Sequence, residues 1–574
     1  MSRSAATLRP STSARLHPLA QSLLRRRARP LLAAIAAALV GAAPAPADPA
    51  TPTDVYSPGG WSTLHQGPDN RKFVVRAAIA DVARAWTVLA GASVLTAPVL
   101  APDGRTLYVT TGRAEGHANL HAFDREGRLV WQSEPYRDAD QGVDPCAILS
   151  SPIVDREGDV YLGDCNQVFA YRPDGSLKWV VPLPPLEASD WHASERLPIN
   201  ALTTAVFTPT GRLVGVTNMG DVVVLDRASG RALAPPTRLP GRLPPPTPMP
   251  LADSMFANGL VDPEIRAWAW QLLMGGRMRS ANTPAVEWGS GRIFVAATST
   301  REGKGALYAL DLVETDAAAG AAADAGSGGT KGAAAAASGA AGGGGPAVEV
   351  RIAFATDMGP GSGSSPALSP EGDRVYVSDE QGMLYSIDAQ SGAIHWQVQT
   401  KAASAAAAVA ANGDVIALQA DRRALVAVTR DGRVRWESDL SALTRAALPT
   451  GRLLGEPVAM GNGNPTVVGG EVLVPVAYGY ETQVGRRIPW PVRSVLVAVD
   501  GETGIGTREV VELVDDSTGI TVVLPDGTIL SSLGAGITSS VSPLAGLARW
   551  LLPGDLAPLR PVGGLQVSRP SGPR

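Results

Sequence analysis

From Trp61 onward the chain keeps restating one phrase, and an internal repeat constrains a fold more than any local feature does. The clearest instance runs from Ser364 to Trp396. It has a Ser-Pro start, an apolar strand, an acidic-Gly turn, a β-branched and aromatic strand, and a third alternating strand ending Ile387-Asp388. A Ser-Gly turn and a strand closing on Trp396 complete it. Four short strands joined by tight turns are the composition of an antiparallel propeller blade. The phrase returns from Thr96 to Trp131 and from Ser150 to Trp179 with Trp in register, and weaker copies begin near Thr203, Asn282, Ser404, Gly463 and Thr518. The turn between the first two strands recurs at Gly104, Gly158, Gly211, Gly291, Gly372, Gly413, Gly470 and Gly527. These turns predict an all-β chain, an eight-bladed β-propeller of four-stranded antiparallel blades. A repeated structural position for Trp also accounts for 12 Trp outnumbering 7 Phe.

Closing such a ring commonly takes a strand from one terminus to complete the blade made by the other. Arg84-Ala-Trp86-Thr-Val reads as a fourth strand with no first three before it, and Ala548-Arg549-Trp550-Leu551 also reads as a fourth strand. One of the two is redundant, so seven blades stay as an alternative. The expected organisation is a signal peptide at 1–47, an N-terminal extension at 48–83, one propeller at 84–555 and a disordered tail at 556–574.

Residues 1–30 hold seven Arg and no acid, an apolar run follows from Leu31 to Val40, and Ala45 and Ala47 are small residues at the −3 and −1 positions. That order is a secretory signal with cleavage after Ala47. The apolar run falls short of the roughly 20 residues that span a bilayer. The first cysteine is Cys146, so none stands at the cleavage site to accept a lipid. The expectation is a periplasmic or secreted monomer that is not a lipoprotein and has no membrane span after cleavage. The general secretory and twin-arginine routes both remain open. Fifty basic residues against 54 acidic ones, only 5 of them Lys, leave no surplus of positive charge for phosphates, which argues against nucleic acid.

The phrases resemble the pyrroloquinoline-quinone-like (PQQ-like) propeller repeat, with its Ala-x-Asp core, Ser/Thr-Gly turn and terminal Trp. Ser386-Ile387-Asp388, Ser391-Gly392 and Trp396 match closely; Ala122-Phe123-Asp124 with Trp131, and Ala498-Val499-Asp500 with Thr503-Gly504, match in part. The resemblance covers about Trp61 to Leu552. The family includes quinoprotein alcohol dehydrogenases and the B subunit of the outer-membrane β-barrel assembly machine, so it implies a fold and leaves function open. Its dehydrogenases are similar to one another in a vicinal Cys-Cys disulfide against the quinone, a calcium set of Glu, Asn and Asp, and often a CxxCH haem attachment. This sequence has no adjacent cysteines and no CxxCH. It therefore reads as nearer the non-catalytic members, with no cofactor. PQQ with Ca2+ in an atypical site, or another periplasmic enzyme, is the alternative.

Long segments mark one face. First-to-second and third-to-fourth turns share a face of a propeller, whereas second-to-third loops and blade connections share the other. Gln132 to Leu149, Val181 to Leu202, Ala234 to Ala281 and Ser438 to Asn462 connect blades, and Val476 to Arg493 is a second-to-third loop. Within the largest, Asp262 as N-cap, Pro263, Glu264 and Gly275-Gly276 describe a short helix carrying Trp268 and Trp270. The Ala/Gly-rich tract from Thr315 to Gly345 reads as a disordered excursion on the opposite face.

Cys146 and Cys165 lie at the base of one hairpin. With its turn at Glu157-Gly158, Val154 pairs near Asp159 and Ser150 near Gly163, which brings the two cysteines within one or two residues of facing each other. In an exported chain this predicts a disulfide. No metal spacing emerges; the loose pair His117 and His121 is a solvated loop, and the Asp-Gly pairs are hairpin turns. No catalytic residue is assigned. The recognition candidates on the loop-rich face are Arg137, Asp138, Asp140 and Asp144; Trp191, His192, Glu195 and Arg196; and Tyr478, Tyr480, Glu481, Arg486, Arg487 and Trp490. They predict a surface for a periplasmic or cell-envelope protein, or for a small ligand.

Overall fold

The computed structural model describes residues 51–571 apart from 191–199, 245–277, 316–346, 402–405, 444–455, 535–546 and some gaps of one to three residues. Eight sheets form the ring, seven antiparallel ones of four strands and one of six that is antiparallel but for a single short parallel strand. The repeat phrase maps onto them directly. Blade five, for example, runs Ala367–Leu368, Arg374–Ser378, Met383–Asp388 and Ile394–Gln399. Inner strands alternate little because both their faces are covered by neighbouring blades. Ala285, Phe294 and Leu307 of blade four pack with Leu368, Val375 and Tyr385 of blade five in one buried cluster. Outer strands alternate, as Ile394–Gln399 does, because one face meets solvent.

The repeated Trp has a specific task. The indole N–H of Trp131 donates to the carbonyl of Pro173 at 2.9 Å, in the third-to-fourth turn of the next blade. Trp86 does the same to Arg125 (2.8 Å), Trp179 to Arg227 (3.1 Å), Trp396 to Arg430 (2.8 Å) and Trp436 to Gly501 (3.0 Å). The ring lies on the turn glycine: a Cβ at Gly175 would stand 2.7 Å from Trp131 Cδ2. One motif residue thus pins each such blade to its successor.

Blade eight closes the ring with strands from both ends, in the order Thr521–Val523, Ile529–Leu533, Gly564–Pro570 and Val82–Val88. Trp86 is therefore in the closing strand, as its sequence suggests, and the blade count is eight. Trp550 is not in a strand. Residues 549–551 are helical, and the Trp position of this blade is already filled by Trp86 against Gly127. The tail is not disordered throughout, since Gly564–Pro570 is the third strand, buried over its first five residues. The propeller spans 82–570 rather than 84–555. In blade seven the left-handed turn position is Gly469 (φ 60°), one residue before the expected Gly470. The expected loop from Val476 to Arg493 is instead a ribbon, because strands Glu471–Val484 and Arg486–Asp500 continue past the blade and Glu456–Gly461 pairs alongside.

The N-terminal extension is the largest departure from expectation. It is no appendage but a thread across the axis, where the first strands of the blades meet. Ser57 N–H donates to Val154 O; Trp61 O accepts from Leu100, Pro68 O from Val286, Asp69 O from Leu368, Arg71 O from Val409 and Lys72 O from Val467. The Tyr56 hydroxyl accepts from Phe207 N–H at 2.7 Å, and Arg76 donates to Pro525 O at 2.7 Å. All eight blades are touched. Phe73–Val74 adds in parallel to Thr466–Val468. The signal peptide, the predicted helix near 262–276 and the Ala/Gly tract beyond Thr315 lie outside the described residues. That tract does fall between the third and fourth strands of blade four, Gly305–Glu314 and Val348–Met358. No described helix is long and apolar enough to cross a membrane.

Candidate functional site on the loop-rich face

At blade two the insertion before the first strand is tied to the base of the hairpin. Val154 faces Val160, one residue on from the expected register, and Cys146 and Cys165 are joined in a disulfide with Cα atoms 5.2 Å apart. Asp144 caps the short 3-10 helix Pro145–Leu149, accepting from Cys146 N–H at 2.7 Å and from Cys165 N–H at 3.1 Å. Asp164 accepts from the amides of Asp144 (3.2 Å), Asn166 (3.1 Å) and Gln167 (2.8 Å). Both carboxyls are buried. Burial pushes Asp144 up to about 6, and burial together with the charge of Asp144 holds Asp164 well above the usual carboxylate range.

A second network fastens the next two insertions. The Arg238 guanidinium grips Asp221 through Nε (2.7 Å) and Nη2 (3.0 Å) and reaches Asp190 through Nη1 (2.9 Å). Arg279 also reaches Asp190, at 3.4 Å, and Asn200 donates to Asp221 at 2.7 Å. The geometry is that of a brace, with each acid consumed by a fixed partner.

The expected recognition residues fall into three groups. Arg137 and Asp138 are exposed. Asp144, Tyr478 and Tyr480 are buried, the two tyrosines at 4% and 0% exposure, so they hold the insertions together and present no surface to a partner. Asp140, Trp191, His192, Glu195 and Arg196 lie outside the described residues. Glu481, Arg486, Arg487 and Trp490 share the ribbon of blade seven, where Tyr480 stands opposite Trp490 and Gln483 opposite Arg487. His121 is a buried ring stacked on Phe123, and burial pushes it down to about 4, which removes it from the solvated loop expected for it.

Sequence reasoning missed the axis entirely. Trp61, His65, Asn70 and Lys72 are all buried there. Asn70 Nδ2 donates to the carbonyls of Thr283, Pro284 and Pro366. Where the thread meets the opposite, turn-bearing face, it leaves a cleft of about 430 Å³ walled by Phe73, Trp288, Gln66, Arg71 and Glu371. Arg71 is already engaged by Asp69 at 2.6 Å. The only available signal was the apolar and polar mixture of 55–76, which has no period to read.

The fold invites a test for quinone and calcium. Among the described residues the one cluster with metal-ligating atoms is Asp144, Cys146 and Cys165. Its sulfurs are bonded to each other and cannot serve as thiolates, and the oxygens of Asp144 already accept two amides. Calcium needs six to eight oxygens. The described donors do not fit that group.

Residues 321–505 match the family model described as outer membrane protein assembly factor BamB. Among curated proteins none matches the chain. Among solved structures, a europium-containing methanol dehydrogenase is 13% identical with a TM-score of 0.52, covering 89% of this chain and 98% of its own. The quinohemoprotein alcohol dehydrogenase ADHIIG from Pseudomonas putida HK5 is 13% identical with a TM-score of 0.51, covering 90% and 81%. BamB from Moraxella catarrhalis is 12% identical with a TM-score of 0.44, covering 86% and 100%. Likeness at this identity speaks to architecture. By its fold the chain is an eight-bladed β-propeller, alike in architecture to these two dehydrogenase structures.

Proposed function

We propose that this is an exported, non-catalytic propeller that works in the periplasm or outside the cell as a binding scaffold, offering its loop-rich face to a cell-envelope protein. The observation that carries this reading is the use made of the acids on that face. Asp144, Asp164, Asp190 and Asp221 are each satisfied by amides, an amide side chain or guanidinium groups that fix an insertion in place. A face whose carboxylates are spent on rigidity is suited to presenting a surface, since preorganised loops lose little entropy on binding. The match of residues 321–505 to the BamB description supports the same direction.

The test uses photo-crosslinking in the host. A photoreactive residue replacing Arg137, exposed on the loop-rich face, should trap one envelope protein reproducibly, whereas the same group replacing Asp174 in a turn on the other face should not. Dye reduction with alcohols or sugars after adding PQQ and calcium to purified protein would overturn the reading.

A further inference from the structure

Two acids tie the insertion ahead of blade two to the blade itself, and they do so reciprocally. The Asp144 N–H, in the insertion, donates to Asp164 Oδ2 at 3.2 Å, and the Asp144 carboxylate accepts from the N–H of Cys165, the neighbour of Asp164, at 3.1 Å. Asp164 lies between the second strand, Val160–Gly163, and the third, Gln167–Tyr171. Its carbonyl accepts from Leu202 N–H at 3.3 Å, which carries the link on toward blade three.

No cation balances the pair. Asp144 and Asp164 are 6% and 1% exposed, and among the described residues no Lys, Arg or His forms an ion pair with either. On the third strand beside them, the Tyr171 hydroxyl is pushed up by burial first and then by the charges of Asp164 and Glu134. Glu134 and Arg137 of the insertion are themselves exposed. Amide donors favour the charged form of a carboxyl, whereas burial and a neighbouring like charge oppose it, so two buried carboxyls in contact titrate as a unit and hold a proton that free acids would lose.

We propose that Asp144 and Asp164 form an acid-closed clasp, in which a proton held by the buried pair tightens the insertion on blade two and its loss with rising pH lets the insertion breathe. The Cys146–Cys165 bond joins the same two segments, so the opening is local and the insertion is not released. The sign follows from linkage. Burial raises Asp144 to about 6, and burial with the charge of Asp144 raises Asp164 well above the ordinary value of about 3.9. Stability contributed by the pair is fully present below that ordinary value and is lost as pH rises through the two folded values. That the clasp tunes a binding face rests on the function proposed above; the clasp itself does not.

Hydrogen exchange of the mature full-length chain, with its disulfide intact and no partner present, tests this. After correction for intrinsic rates, the protection of amides in 143–149 and 164–167, taken relative to the strands of blade five, should fall roughly tenfold or more between about pH 5 and about pH 8. In Asp164→Asn, whose amide matches the protonated acid in shape and charge, protection should stay near the native acid level throughout. Equal protection at the two pH values in the native chain, or the same fall in the variant, would overturn the proposal. If Asp164→Asn does not fold, Asp144→Asn takes its place with the same expectation. Because no partner takes part, a failure here is separate from a failure of the crosslinking test of the binding face.

Discussion

The ammonium of Lys72 donates to the carbonyl of Ala406 at 2.7 Å in a wholly buried site, and to that of Ala407 at 2.8 Å. Adjoining blades are stitched by hydroxyls: Ser151 Oγ to Ala97 O (3.2 Å), Thr203 Oγ1 to Asn282 O (2.9 Å), Thr466 Oγ1 to Thr521 O (2.7 Å) and Ser532 Oγ to Thr96 O (2.7 Å). Blade six enters its first strand through Ala406 and Ala407, which carry no hydroxyl, and the thread brings the Lys72 ammonium to their carbonyls.

Burial pushes Lys72 down to about 7. The unfolded chain then holds a proton that the folded chain releases between about pH 7 and the ordinary lysine pKa near 10.4. Stability contributed through this group is present above the unfolded pKa and is lost as pH falls through 7. The urea midpoint should therefore carry a rising component over that range, and Lys72→Met should flatten it; an unchanged slope in the variant would mean the ammonium is solvated.

Trp131 and Gly175 make one contact. Trp131→Ala should destabilise by less than the ~3–5 kcal/mol of a fully buried Trp, about 2 kcal/mol, because the ring is half-exposed. Gly175→Ala places a Cβ against the same ring at a φ of 85°. The two losses should be strongly non-additive in a double-mutant cycle measured by denaturant unfolding; simple additivity would show that the turn does not depend on the indole.

Replacing Cys146 and Cys165 by Ala removes a covalent loop with a sequence separation of 19, worth about 3 kcal/mol in the chain-entropy model. Intact mass after alkylation without reductant should show no labelled thiol in the native protein and a start at Asp48. The variant should unfold at lower denaturant.

Glu314 and Val348 already face each other at the ends of their strands. Replacing 316–346 with an Asn-Gly turn should leave the melting temperature within a few degrees, since closure entropy changes slowly with loop length. Removing residues 51–76 should instead abolish folding, as judged by circular dichroism, because the thread bonds to all eight blades.

The ring was legible because each blade is local. Period-two apolar runs, Asp-Gly turns and a closing Trp lie within one phrase of sequence, and their contacts run to the next blade in chain order. The disulfide was legible for the same reason, since hairpin register places Cys146 and Cys165 together. Blade seven's ribbon was misread because its polar residues look like loop until Glu456–Gly461 pairs alongside. Tertiary structure alone decided what Trp550, Lys72 and the tail do. Trp550 carries the repeat's signature residue, yet Gly564–Pro570 takes the third place in blade eight and Trp86 the stapling position, which leaves Trp550 outside. Lys72 is a surface residue by composition, and only the carbonyls of Ala406 and Ala407 at the start of blade six turn it into a buried donor. The sequence by itself determined which units form; where the two ends of the chain meet those units was settled by long-range hydrogen bonding that no local pattern encodes.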